Sequence, residues 1–167
     1  HVITTLYNGT IDSMYAGLNF KKVFPDMTDD DLEVFYSNNR KKRKIVSTGV
    51  VIGVDFTGSP ELSDFAVMNF MKVKTGSEKS YEDMEKNVFK KNVSTDSRIS
   101  WALQRRVDRT GTDLYWNYMT VDWYSKYSDI LNVLSGPAQN LTKSYKTMLS
   151  LRDLRESVVL WKVLKIR

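Results

Sequence analysis

A chain of 167 residues, 41% hydrophobic and 27% charged, has the make-up of one ordinary globular domain, long enough to bury a core without crosslinks. It has no cysteine, which excludes a disulfide framework, a thiol nucleophile and any Cys-ligated metal. Its single histidine is His1, which leaves none in the body of the fold for Ser–His or Cys–His catalysis. The formal charge is +5, and much of the excess sits in Arg40-Lys41-Lys42-Arg43-Lys44. That run reads as a solvated helix end rather than a nucleic-acid patch.

In chain order, Val2 to Tyr7 reads as a short strand and Asn8-Gly9 as a turn. Ile11, Met14, Tyr15 and Leu18 follow at helical spacing. Thr28 reads as the N-cap of a second helix, with Asp29, Asp30 and Asp31 in its first turn and Leu32, Phe35 and Tyr36 as its buried stripe. Residues 45–56 form a strand with Val46, Thr48, Val50, Ile52, Val54 and Phe56 on one face. Gly58-Ser59-Pro60 turns into a strand over 65–74. Phe65, Val67, Asn69, Met71 and Val73 share one of its faces, and Ala66, Met68 and Phe70 the other.

The clearest helix spans 77–92, capped by Ser77, with Tyr81, Met84, Val88 and Phe89 expected to be buried and Glu78, Lys79, Glu82 and Lys86 expected to face water. Strands over Arg98–Val107 and Leu114–Tyr124 come next, joined by a turn at Asp108 to Thr112. Ile130, Leu131 and Leu134 mark a short helix broken at Gly136-Pro137. Leu141, Tyr145, Met148 and Leu149 mark a longer one to about Arg155, and Ser157–Ile166 is the last strand.

From residue 64 the order is strand, helix, strand, strand, helix, strand. This predicts an α+β unit over 64–167, a ferredoxin-like antiparallel sheet with helices on one face. Residues 1–60 form an N-terminal strand–helix–strand unit, readable as a degenerate half-repeat. The strands 65–74, 114–124 and 157–166 are apolar on both faces, so something must cover the second one. A second copy would make a homodimer, packed sheet to sheet as a dimeric α/β barrel. Otherwise the first sixty residues close a tandem pseudo-repeat within one chain.

Four segments carry a family resemblance: Val67-Met68-Asn69-Phe70-Met71-Lys72-Val73-Lys74-Thr75-Gly76, the helix from Tyr81 to Phe89, Ser100-Trp101-Ala102-Leu103, and Tyr115-Trp116-Asn117-Tyr118-Met119-Thr120-Val121. Together, over about residues 64–130, they resemble exported bacterial proteins. Their pattern is similar to the dimeric α/β-barrel superfamily, with its antibiotic-biosynthesis monooxygenases and chlorite-dismutase-like proteins. Thr75 stands where those segments carry proline. The resemblance implies a pocket between sheet and helices lined by Asn, Trp, Tyr and Arg, holding a small-molecule ligand and needing no cofactor. The haem-degrading branch adds a helix histidine that binds iron. This chain has Asn69 and Trp101 but no such histidine, so neither haem nor any other metal is expected.

Asn69 interrupts an apolar strand face. Its amide could orient a substrate oxygen or be satisfied by neighbouring groups. Trp101 and Trp116 could wall a flat ligand or simply pack in the core. By strict alternation Trp116, Tyr118 and Asp122 share one face. That makes Tyr118 the pocket partner of Trp116, and Asp122 either a general base or the partner of a strand-end arginine. Arg105 lies on the face of Trp101, placed to neutralise an anionic substrate or to reach solvent. The functional expectation is small-molecule binding, with cofactor-independent oxygenase-like chemistry on an aromatic or enolisable substrate. The alternative is a non-catalytic ligand-binding or assembly protein of the same fold. The missing initial Met and sequons at Asn8, Asn92 and Asn140 point to an exported chain. His1 itself reads as a residue left by processing or cloning. No apolar run approaches a membrane span.

Overall fold

The computed structural model describes residues 24–42, 49–135 and 143–162. The expected strand at 2–7, the helical stretch from Ile11, the first residues of the 45–56 strand and the end of the last strand lie outside them. The chain divides into two compact units, 1–48 and 49–167.

In the first unit, helix α1 (Asp29–Lys42) starts where Thr28 and Asp31 cap each other. The Asp31 N–H donates to Thr28 Oγ1 at 3.1 Å, and the Thr28 N–H donates to Asp31 Oδ2 at 3.0 Å. Its acidic first turn and basic last turn both complement the helix dipole. The stripe expected to be buried is not: no residue of α1 is buried, and Phe35 and Tyr36 are exposed. Leu32, Phe35 and Tyr36 span barely one turn of a mostly polar helix, too short a stripe to bury it.

The second unit is one five-stranded sheet: β1 (Val51–Gly58), β2 (Phe65–Val73), β3 (Arg98–Arg106), β4 (Tyr118–Tyr124) and β5 (Arg152–Trp161). The spatial order is β1-β3-β4-β2-β5, and every pair is antiparallel. Strands β2 to β5 therefore have the ferredoxin-like arrangement, and β1 extends it beside β3. Edges β1 and β5 are not paired with each other, so the described strands form an open sheet rather than a closed barrel.

Helices α2 (Glu78–Met84), α3 (Tyr127–Ser135) and α4 (Lys143–Leu151) pack on one face. Beneath α2 and α4, Met71, Val73, Tyr81, Trp101, Leu103, Tyr118 and Met148 form the main core. Under α3 a smaller cluster joins Val67, Tyr124 and Ile130. The even-numbered residues of β2 point to the second face. There Met68, Met119 and Val121 cluster with Ala66, Phe70, Trp123 and Leu160. Two-sided burial is what apolar residues on both faces of a central strand require.

Three boundaries differ from the sequence reading. The last strand starts at Arg152, directly after α4, because Lys74 N–H bonds to Leu151 O and brings the chain into register beside Val73. Strand β4 starts only at Tyr118, because the Asn117 side chain takes the place of a strand residue. Its Oδ1 accepts from Val73 N–H at 2.7 Å, and its Nδ2 donates to Val73 O at 3.0 Å. The 77–92 helix changes character: α2 gives way to a π-helical turn at Glu85–Phe89 and a 3₁₀ turn at Lys90–Ser94. Of the four residues expected to be buried there, Tyr81 is fully so, while Met84, Val88 and Phe89 are half-buried.

Candidate functional site

Between the two helix-side clusters a strip of polar groups crosses the sheet. Ser157 on β5 donates to Asn69 Oδ1 at 2.6 Å. Asn69 Nδ2 donates to Asp122 Oδ2 at 2.9 Å and lies 3.3 Å from Thr120 Oγ1, both on β4. Asp122 Oδ1 accepts from Arg98 Nη1 on β3 at 2.7 Å. A register shift between Arg98 and Ser100 turns Arg98 toward the helices, where strict alternation would have placed it on the opposite face. Arg98 also grips Asp96 and donates to Phe89 O in the π turn. The strip runs from exposed Ser157 to the deeply set Asp122–Arg98 pair, whose side chains are 13% and 11% exposed. Burial pushes the Asp122 carboxyl above its ordinary range, although Arg98 opposes the shift.

A second carboxyl faces the same layer. Glu85, the first residue of the π turn, is 4% exposed. Burial pushes it up to about 7, against the pull of a hydrogen bond with Tyr81 and the charge of Arg152, while the charge of Asp122 pushes it further up. A single π turn inside a helix often marks a functional position, because it displaces one residue from the regular helical phase. Arg152 of β5 is itself buried. Its Nη2 lies 3.3 Å from Met148 Sδ, and its Nε has no hydrogen-bond partner.

The sequence candidates fall into three places. Asn69 and Asp122 meet in the polar strip. Trp101, Tyr118 and Arg105 belong to the main core and its rim. Trp101 is 1% exposed among Met71, Leu103 and Tyr118. Tyr118 donates to Glu82 Oε1 at 2.8 Å, and Arg105 reaches the same oxygen at 3.3 Å. Glu82, expected to face water, is thus drawn against the sheet. Burial, and then Glu82, raise the Tyr118 hydroxyl well above its usual range.

Trp116 is a correction. It lies on the second face, edge-on to Phe70 at 5.2 Å and beneath the Arg106 guanidinium at 4.5 Å. It precedes β4, so strand alternation does not govern it. It cannot wall the same pocket as Tyr118. Sequence reasoning missed Glu85, Arg98 and Arg152. Only the i, i+4 spacing of Glu85 from Tyr81 hinted at a shared face.

Among the described residues, no group of three His, Cys, Asp or Glu side chains is arranged to hold a metal ion, and no helix is long and apolar enough to cross a membrane. A wide hollow lined by Thr57, Lys90, Lys91, Val93 and Ile99 includes none of the sequence candidates.

No family model matches the chain, and no curated protein matches it. Among solved structures, one described as a "crystal structure study of anthrone oxidase-like protein" is similar, with a TM-score of 0.47 and 11% identity. The likeness covers 78% of this chain but only 65% of that one, so the chain spans less than two thirds of its neighbour's length.

Proposed function

We propose that the chain binds a small enolisable or phenolic molecule against the helix-covered side of the sheet and exchanges a proton with it through Glu85. The observation that supports this reading is a buried carboxyl held at about 7, beside a strip of hydrogen-bonding groups that reaches solvent. A carboxylate of that basicity takes a proton from an acidic C–H at neutral pH and returns it later in the cycle. The Asn69 amide, oriented by Ser157 at the open end of the strip, would turn one N–H from its long 3.3 Å contact with Thr120 Oγ1 to the oxygen on which charge develops. The resulting carbanion reacts with dioxygen. Overall, a ring-flanked CH₂ and O₂ become a ketone and water, so atoms and electrons balance without a cofactor.

Anthrone is a suitable probe because its anion reacts with dioxygen unaided. Oxygen uptake faster than the buffer background is expected, with a loss of about a hundredfold or more in Glu85→Gln. No heat of binding together with a background rate would sink the reading. The filled core, with Trp101, Leu103, Val73 and Tyr81 at 1% exposure or less, favours a second reading, ligand binding without chemistry. Binding without oxygen uptake would select it.

A further inference from the structure

We propose that the open hollow beside β1 binds a small organic anion, its charge held by Lys90 and Lys91 and its apolar part lying on Val93 and Ile99. Glu85, Asn69 and Asp122 are not among the residues that line it, so the proposal stands apart from the proton-exchange reading.

The hollow measures about 630 Å³, within the ordinary size of small-molecule sites. Three pieces of chain make its walls: Thr57 from β1, Ile99 from β3, and Lys90, Lys91 and Val93 from the 3₁₀ turn that follows the π turn. Those walls are tied to one another. Ser100 Oγ donates to Thr57 O at 2.7 Å, and Ser59 N–H donates to Ile99 O at 3.3 Å, which joins β1 to β3. Arg98 Nη2 donates to Phe89 O at 3.0 Å, one residue before Lys90, which joins the turn to β3. Val93 packs on the main core. Walls fixed before a ligand arrives lose little entropy when it binds.

The class of ligand follows from charge. Two lysines line the hollow and no carboxylate does. Asp55 and Thr57 stand opposite Leu103 and Trp101 of the main core, which puts their side chains on the helix side of β1. There Asp55 Oδ1 accepts from Lys90 Nζ at 2.8 Å. The two side chains are 24% and 31% exposed, so water screens the pair and it is weak enough to exchange. An ammonium has three donors, and Asp55 Oδ1 takes one of them. An incoming anion therefore competes with Asp55 for Lys90, while Lys91 adds a second positive charge. Val93 and Ile99 supply apolar surface that a bare inorganic ion cannot use, and so the ligand is organic.

The test titrates the ¹⁵N-labelled full chain with benzoate, benzyl alcohol and inorganic phosphate at constant ionic strength, followed by NMR of the backbone amides. Benzoate should move the signals of Thr57, Lys90, Lys91 and Ile99 to saturation. Benzyl alcohol, similar in size but uncharged, should bind at least about tenfold more weakly, as should benzoate to the double variant Lys90→Met, Lys91→Met. Asp55→Asn removes the internal competitor and should tighten benzoate binding about threefold, a gain that a damaged fold could not mimic. No saturable shift at millimolar benzoate would overturn the site. Unchanged affinity in the double lysine variant, or weaker binding in Asp55→Asn, would overturn the assigned charges. Phosphate binding as tightly as benzoate would overturn the organic ligand.

Discussion

Glu85 makes stability depend on pH in a direction opposite to that of a carboxylate held ionised by a salt bridge. Its value of about 7 in the folded chain lies above the ordinary 4.5, so between those limits the folded chain holds a proton that the unfolded chain has released. The stabilisation is therefore complete below pH 4.5 and is lost as pH rises toward 7, a fall of roughly 3 kcal/mol. Asp122, also raised, acts in the same direction. Asp55 and Asp108, lowered by partners that include Lys90 and Arg106 respectively, act oppositely and at more acid pH. Urea unfolding should show a less stable protein at pH 8 than at pH 5, and Glu85→Gln should remove most of the difference. Equal stability at the two values would contradict the burial of an ionisable Glu85. Nearby, Arg98→Met would strand the Asp122 carboxylate without its cation. The expected loss is about 3–5 kcal/mol, and replacing both partners with apolar residues should recover part of it. A double-mutant cycle from urea midpoints checks this, and additive single effects would show that the pair is not coupled.

At the level of elements, β1 depends on a backbone that only glycine supplies. Gly58 has φ of +91°, and a Cβ there would lie 2.2 Å from the Ile99 carbonyl oxygen. Gly53, in the same strand, has nothing within 4 Å of its would-be Cβ. Gly58→Ala should therefore cost about 1–3 kcal/mol, while Gly53→Ala is near neutral. Equal thermal shifts for the two variants would refute the assigned strain. Strand β2 shows what a sequence reveals. Alternation in β2 was legible because Phe65, Val67, Met71 and Val73 repeat at period two, and that pattern put Asn69 on the helix side. Period two likewise put Asp122 beside Tyr118. That Asn69 and Asp122 touch depended on register across the sheet, which no local pattern carries. Trp116 was misplaced because alternation was extended past Asn117, whose amide ends the strand. Glu85 was missed because a glutamate in an amphipathic helix reads as solvent-facing. Its burial depends on tertiary structure, with Asp122 of β4 and Arg152 of β5, both distant in sequence, close enough to act on its charge.

Across the second unit, two routes were open for covering the far side of the sheet: a second copy, or cover within the chain. We propose that the chain is a monomer in solution. Met68, Met119 and Val121 are 5%, 3% and 6% exposed in the single chain, which supports that reading. The open edges are guarded as well. Edge strand β1 is broken by a register shift between Gly53 and Asp55, and β5 presents Asp153, Arg155 and Glu156 along its first half. Bulges and charges of this kind discourage edge-to-edge association. Phe56, at 49% exposure, is shielded on one side by Trp123, the ring centroids being 6.2 Å apart. A stable homodimer would need to bury on the order of 1,200–2,000 Å². Light scattering at micromolar concentration should therefore return a mass near 19.4 kDa. Twice that mass, unchanged on tenfold dilution, would overturn the monomer and point to a homodimer.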